Sequence, residues 1–103
     1  MDNFDNAFKT HFDGVVKIAN DYKVEHYPSL GSDFFSVEPG SRYLKIVKDN
    51  GTQRMVFSFV DKKNGDVLKP ASWRAPAKHA RGNIFDAKNG LGSIGPYGPA
   101  YLR

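Results

Sequence analysis

Between Lys69 and Asn83 the chain gathers four cations, Lys69, Arg74, Lys78 and Arg81, around its only tryptophan, Trp73, with His79 among them and no acid. Cations of this kind suit phosphate contacts, which are electrostatic and demand no fixed motif. An indole beside them offers a π-face on which any exposed base can stack. The chemistry these residue types support is binding of RNA or single-stranded DNA through Lys69, Trp73, Arg74, Lys78, His79 and Arg81. Tyr43, Tyr97 and Tyr101 are aromatic candidates to extend such a platform. A structural role stands beside this one: Trp73 as a lid on the core, its rim covered by Lys and Arg stems.

Nothing in the same stretch signals a reaction. His79 has no nucleophile or acid partner near it in sequence, and His11, His26 and His79 lack the spacing of metal ligands. Gly90-Leu91-Gly92-Ser93-Ile94-Gly95 spells the glycine pattern of dinucleotide-binding turns. That pattern works only where a strand feeds it and a helix N-terminus follows, and here Pro96 follows. Asp61-Lys62-Lys63-Asn64-Gly65-Asp66 has a lysine at the third position of a calcium loop and no glutamate at the required spacing, so it reads as a hairpin turn. The expectation is a non-enzymatic protein with no metal and no cofactor.

Charge supports a polyanionic partner. Residues 1–51 carry eight acids against six bases, whereas residues 52–103 carry three acids, Asp61, Asp66 and Asp86, against nine bases. Such asymmetry suggests a molecule whose later half meets something acidic. Cysteine is absent, which excludes disulfides and thiol chemistry and fits a reducing compartment. No apolar run approaches the ~20 residues of a membrane span, so no membrane partner is expected. The start, Met1-Asp2-Asn3-Phe4-Asp5, lacks the layout of a signal peptide. A cytoplasmic location is expected. Asn50-Gly51-Thr52 matches a glycosylation sequon but reads as a turn.

The elements that must position the basic segment follow from periodicity. Phe4, Phe8, Phe12, Val15, Val16, Ala19 and Tyr22 recur at helical intervals and predict an amphipathic helix over 3–24. Asp2 or Asn3 suits its N-cap, and His11 lies on or beside the apolar stripe as a satisfied, partly buried histidine. Gly14 is a weak point, costing up to about 1 kcal/mol relative to alanine unless close packing requires it. The stripe is core, or an interface if the protein forms a homo-oligomer.

After Pro28 and Gly31 the period becomes alternating. Strands are expected over 42–48, 53–61 and 66–69, and 34–38 is a short strand candidate, for a meander of three or four strands. Alternation puts Leu44 and Ile46 opposite Tyr43, Lys45 and Val47, and puts Met55, Phe57 and Phe59 opposite Val56, Ser58 and Val60. Asn50-Gly51 and Asn64-Gly65 mark hairpin turns, of type I′ if both residues take positive φ. The result is one α+β domain over 1–103. Residues 1–30 form helix and loop, 31–69 an antiparallel β-meander, and 70–103 the basic segment and an irregular Gly/Pro-rich tail. Within the last part, 77–81 is a candidate helical turn and 83–85 a candidate edge strand. The apolar residues of the tail, Leu91, Ile94, Tyr97, Tyr101 and Leu102, suggest that it packs along the body.

The run Gly65-Asp66-Val67-Leu68-Lys69-Pro70-Ala71-Ser72-Trp73-Arg74-Ala75-Pro76-Ala77-Lys78-His79-Ala80-Arg81-Gly82-Asn83-Ile84-Phe85-Asp86, with the ending Gly95-Pro96-Tyr97-Gly98-Pro99-Ala100-Tyr101-Leu102-Arg103, resembles small uncharacterised proteins of tailed phages, cyanophage and marine metagenomic members among them. The likeness is strongest in the second half. It implies a phage protein acting in an infected host cell. One such marine family has an Sm-like fold and forms rings, with RNA or DNA binding proposed. An Sm-like open barrel is the fold this implies. No residue roles come with the resemblance. The expected function is a phage-type nucleic-acid-binding module, and the alternative is a structural or protein-interaction phage protein, either a virion component or a host-factor inhibitor.

Overall fold

The computed structural model of the protein describes Asp2–Pro99. The expected cap by the Asp2 side chain, and the expected packing of Tyr101 and Leu102, lie outside the described residues.

One helix, α1 (Asp2–His26), precedes a five-stranded antiparallel sheet of β1 (Phe34–Pro39), β2 (Tyr43–Asp49), β3 (Arg54–Asp61), β4 (Asp66–Pro70) and β5 (Pro76–Asn83). The strands lie in sequence order, so β1 and β5 are the edges of an open meander. A two-residue ribbon, β6 (Ile94–Gly95) and β7 (Gly98–Pro99), follows. The α+β class and the meander are as the periodicity predicts. The Gly/Pro-rich tail is less irregular than expected, since Pro96 and Tyr97 turn a small hairpin.

The helix ends where Pro28 forbids its continuation. Tyr27 makes the last helical bond, N–H to the Lys23 carbonyl at 2.7 Å, and itself leaves the helical region at φ −140° and ψ 60°, since the following proline disfavours helical geometry there. Phe4, Phe8 and Phe12 lie along the sheet-facing stripe, with successive ring centroids 6.3 and 6.2 Å apart. Val15 and Ala19 on the same stripe join Ile46, Phe57, Val60, Val67 and Ile84 in the core. Each such fully buried branched side chain contributes roughly 1.5–3 kcal/mol.

Both Asn-Gly turns fall where expected, but neither is type I′. Among the described non-glycine residues only Asn89 has positive φ, so Asn50 and Asn64 do not adopt it. Their side chains act instead as local acceptors. The Asn50 Oδ1 accepts from the Thr52 and Gln53 amides at 3.0 and 2.8 Å, and the Asn64 Oδ1 from the Asp66 amide at 2.9 Å. Only the glycines, Gly51 (φ 95°) and Gly65 (φ 81°), take the left-handed region.

A β-bulge overturns the expected alternation in β3. Ile46 pairs with Ser58 but Val47 pairs with Val56, which leaves Phe57 as the extra residue. Phe57 therefore packs toward the helix together with Val60, and meets Phe35 edge-on at 5.6 Å. Phe59 goes to the opposite face, where it meets Tyr43 edge-on at 5.9 Å. Met55, Phe57 and Phe59 thus do not share one face.

The candidate helical turn over 77–81 is instead the middle of β5, and the strand expected over 83–85 ends at Asn83. Ala, Lys and His have little intrinsic β preference, and pairing with β4 overrides it. The position explains the composition. Pro76 is the first residue of an edge strand, where a missing N–H costs no ladder bond, and lysine on an edge discourages further pairing. The meander therefore runs through the basic segment to Asn83 rather than stopping at Lys69.

After β5 the chain crosses the helix. Asp86 organises this loop by accepting from the Gly90 and Lys88 amides, both at 2.9 Å, and these bonds hold its carboxyl below the usual carboxylate range. His11 is wholly buried beneath it, its Nδ1–H donating to the Asn89 carbonyl at 2.8 Å. Its Nε2 has no hydrogen-bond partner among the described residues. Burial lowers the His11 pKa below 6.5 and keeps the ring neutral.

Candidate nucleic-acid interface

Strand parity divides the sequence-derived candidates between two faces. Val67 belongs to the core under the helix, Leu68 faces the other way, and Lys69 shares the side of Val67. Lys69 is bound there to the tail, its Nζ donating to the Pro99 carbonyl at 3.1 Å. It does not join the tryptophan.

Trp73 stands in the β4–β5 loop over the face that the helix leaves uncovered. The loop is stapled: the Ser72 Oγ accepts from the Arg74 and Ala75 amides at 3.3 and 3.2 Å, and the Ala71 and Ser72 amides donate to the Ala75 carbonyl at 3.0 and 3.1 Å. A fixed loop holds the indole in place without enclosing it. Trp73 is 41% exposed, too much for a core lid. The Lys45 Nζ lies 4.2 Å from its ring centroid and the Arg54 guanidinium 5.5 Å, both within cation–π range.

Neighbouring side chains extend this patch. Glu38, Arg42, Tyr43, Lys45, Phe59 and Arg74 line one cleft of about 360 Å³. Arg42, Tyr43 and Lys78 line an adjacent one of about 460 Å³, together with Leu68, Ala80 and the carboxylates Asp61 and Asp66. Arg42, Lys45, Arg74 and Lys78 thus line these two clefts with Tyr43 and Phe59, and Lys45 and Arg54 flank Trp73. Carboxylates answer part of that charge. Arg42 donates to the buried Asp61 carboxylate through Nε and Nη2 at 3.2 and 3.1 Å. Arg54 is bonded to Glu38, which Lys45 also approaches at 3.8 Å. Arg74 and Lys78 have no ion pair among the described residues, which leaves their charge available to a partner.

His79 is exposed on β5, one position out of phase with Lys78 and Ala80. Arg81 donates to the His79 carbonyl and sits at a bulge, since Val67 pairs with Gly82 and Leu68 with Ala80. Of the six candidates, Trp73 and Arg74 share the β4–β5 loop and Lys78 lines the cleft next to that of Arg74, whereas Lys69 is bonded to Pro99 and His79 and Arg81 line neither cleft. Sequence reasoning missed Arg42, Lys45, Arg54 and Phe59. Lys45 was detectable, because alternation already puts it beside Tyr43. Phe59 was not, because the bulge that turns it is invisible in a hydrophobic pattern.

The arrangement can hold planar rings and anions. Among the described residues no three His, Cys, Asp or Glu side chains gather as a metal site, and no helix is long and apolar enough to cross a membrane. The glycine run 90–95 enters no helix. It forms turns against α1 and then β6.

No curated protein and no solved structure matches the chain. Residues 6–93 match a family of unknown function (DUF7717), and the chain belongs to that family.

Proposed function

We propose that this family member is a non-enzymatic module that binds RNA or single-stranded DNA across the helix-free face of its sheet. The observation that carries the reading is Trp73, 41% exposed on a stapled loop and bracketed by Lys45 and Arg54. Bases stack on Trp73 and Tyr43. Phosphates contact Arg74 and Lys78 first, then Lys45 and Arg54 as these leave Glu38. The phage setting implied by the resemblance, with a cytoplasmic site of action in the infected cell, belongs to the same proposal. So does homo-oligomer formation, for which the open edge β1 is available.

Trp73 is the only tryptophan, so its fluorescence reports on this face alone. Single-stranded oligonucleotides are expected to quench it at low salt. Affinity should fall with a log–log salt slope of roughly −2 to −3, corresponding to about three or four neutralised phosphates. Absence of both quenching and binding at about 50 mM salt would sink the proposal.

A second reading, a structural or protein-interaction component such as a virion protein or host-factor inhibitor, is favoured by a separate observation. Val24, Leu30 and Phe34 are 58%, 64% and 75% exposed where the helix hands over to β1. Copurification with a protein partner and without nucleic acid would support it over the first.

A further inference from the structure

A third cleft lies on the helix side of the sheet, between the last turns of α1, the β2–β3 hairpin and the β6–β7 turn. It measures about 220 Å³ and is lined by Tyr22, Lys23, Tyr27, Asp33, Lys48 and Tyr97. Its size is below the ~300–1,000 Å³ of pockets for drug-sized ligands, so a ligand seats a ring and one polar group there and leaves the rest of itself in solvent.

The charges in this cleft are arrested and unequal. Asp33 pairs with the Lys23 Nζ at 2.6 Å and reaches the Lys48 Nζ only at 4.0 Å, and all three side chains are largely withdrawn from water. Asn20 fixes the backbone at Asp33 from both sides, its Oδ1 accepting from the Asp33 amide at 2.9 Å and its Nδ2 donating to the Asp33 carbonyl at 3.3 Å. One carboxylate cannot satisfy two ammonium groups, and the weakly held one is Lys48. That Nζ lies 5.7 Å from the centroid of Tyr97, whose ring is itself 68% exposed. Tyr22 meets Tyr97 edge-on at 5.6 Å. The neighbouring Tyr22 hydroxyl, ahead of desolvation and of Tyr27, pushes the Tyr97 pKa up to about 12. The Tyr97 hydroxyl therefore stays protonated and can donate. An exposed ring, an under-neutralised ammonium and a neutral phenol match a planar ring that carries an anionic group.

We propose that this cleft binds a single nucleotide, its base against Tyr97 and its phosphate at Lys48, either free or as the end of a strand. The site is separate from the Trp73 face and does not depend on it.

Thermal unfolding and calorimetry with AMP and UMP test the assignment, with a dissociation constant on the order of 0.1–1 mM expected. At tenfold excess the melting temperature should rise by several degrees. Adenosine, uridine and inorganic phosphate should each do less. Lys48→Gln, which leaves Asp33 paired with Lys23, should remove the advantage of nucleotide over nucleoside, and Tyr97→Leu should weaken both. Competition by a 5′-phosphorylated oligonucleotide would identify strand ends as occupants, and its failure to compete would leave free nucleotides. The proposal is overturned if neither nucleotide shifts the melting temperature, or if Lys48→Gln responds as the parent does. Quenching of Trp73 by the mononucleotides that persists in Lys48→Gln with an unchanged melting shift would place them on the other face and overturn it equally.

Discussion

Gly14, in the middle of α1, lies directly under Leu91: a Cβ at position 14 would stand 2.3 Å from the Leu91 Cδ1 and 2.9 Å from its Cδ2. The glycine that weakens the helix is thus what lets the post-sheet loop settle on it. The same loop is pinned one turn earlier by His11 and Asn89.

Gly14→Ala should therefore destabilise the protein despite alanine's better helix propensity. The propensity gain is at most about 1 kcal/mol, whereas overpacking costs about 1–3 kcal/mol. A net loss of roughly 1 kcal/mol, or about 4–8 °C in melting temperature, is expected. In the double variant with Leu91→Ala the clash is gone, so the two losses should fall short of additivity by more than ~0.5 kcal/mol. Additive effects would refute the contact.

Stability should fall on mild acidification because of His11. Its folded pKa lies below 6.5, since burial outweighs the Asn89 bond and the Asp86 charge. Above 6.5 the ring is neutral in both states and its contribution is complete. As pH falls from there towards the folded pKa, the unfolded chain takes up a proton that the folded chain refuses, and stability is lost. Asp86, held below the usual carboxylate value by the Gly90 and Lys88 amides, keeps its charge throughout that window. Urea titrations from about pH 7.5 to 5 should show this slope, and His11→Asn should flatten it. An unchanged slope in the variant would remove His11 as the cause.

On the sheet face, Trp73→Ala should weaken oligonucleotide binding by about 1–3 kcal/mol, a roughly 5- to 150-fold loss. Arg74→Glu with Lys78→Glu should weaken it further and flatten the salt dependence. Lys69→Ala should leave binding within about twofold, since Lys69 shares the face of Val67 and holds the Pro99 carbonyl. Filter binding over a salt series measures all three. Greater sensitivity to Lys69 than to Lys78 would count against the face assigned.

Asp33→Asn should destabilise by about 2–3 kcal/mol. The change leaves Lys23 and Lys48 facing each other without a carboxylate, and partial access of water keeps the loss below the ~3–5 kcal/mol of a fully buried broken pair. Chemical denaturation would measure it. A loss under about 0.5 kcal/mol would mean that the pair behaves as a surface contact.

Local chemistry was legible wherever one stretch of chain decided it. The Phe4–Phe8–Phe12 stripe, the stop before Pro28 and both Asn-Gly reversals are written in neighbouring residues, so the helix and the hairpins could be read directly. Within the binding segment, the residue types were legible but their grouping was not. Lys69 and Lys78 look equivalent along the chain, and pairing with β4 sends them to different sides.

The sequence by itself thus determined the α+β class, the amphipathic helix, the turn positions and the basic, tryptophan-bearing segment, because hydrophobic period and turn chemistry act over a few residues. Tertiary structure alone decided the β3 bulge that turns Phe59 outward, the recruitment of Pro76–Asn83 as a fifth strand, and the meeting of Trp73 with Lys45 and Arg54. Each of these depends on which backbone groups find partners across the sheet. That competition is settled between segments tens of residues apart and leaves no periodic trace in either.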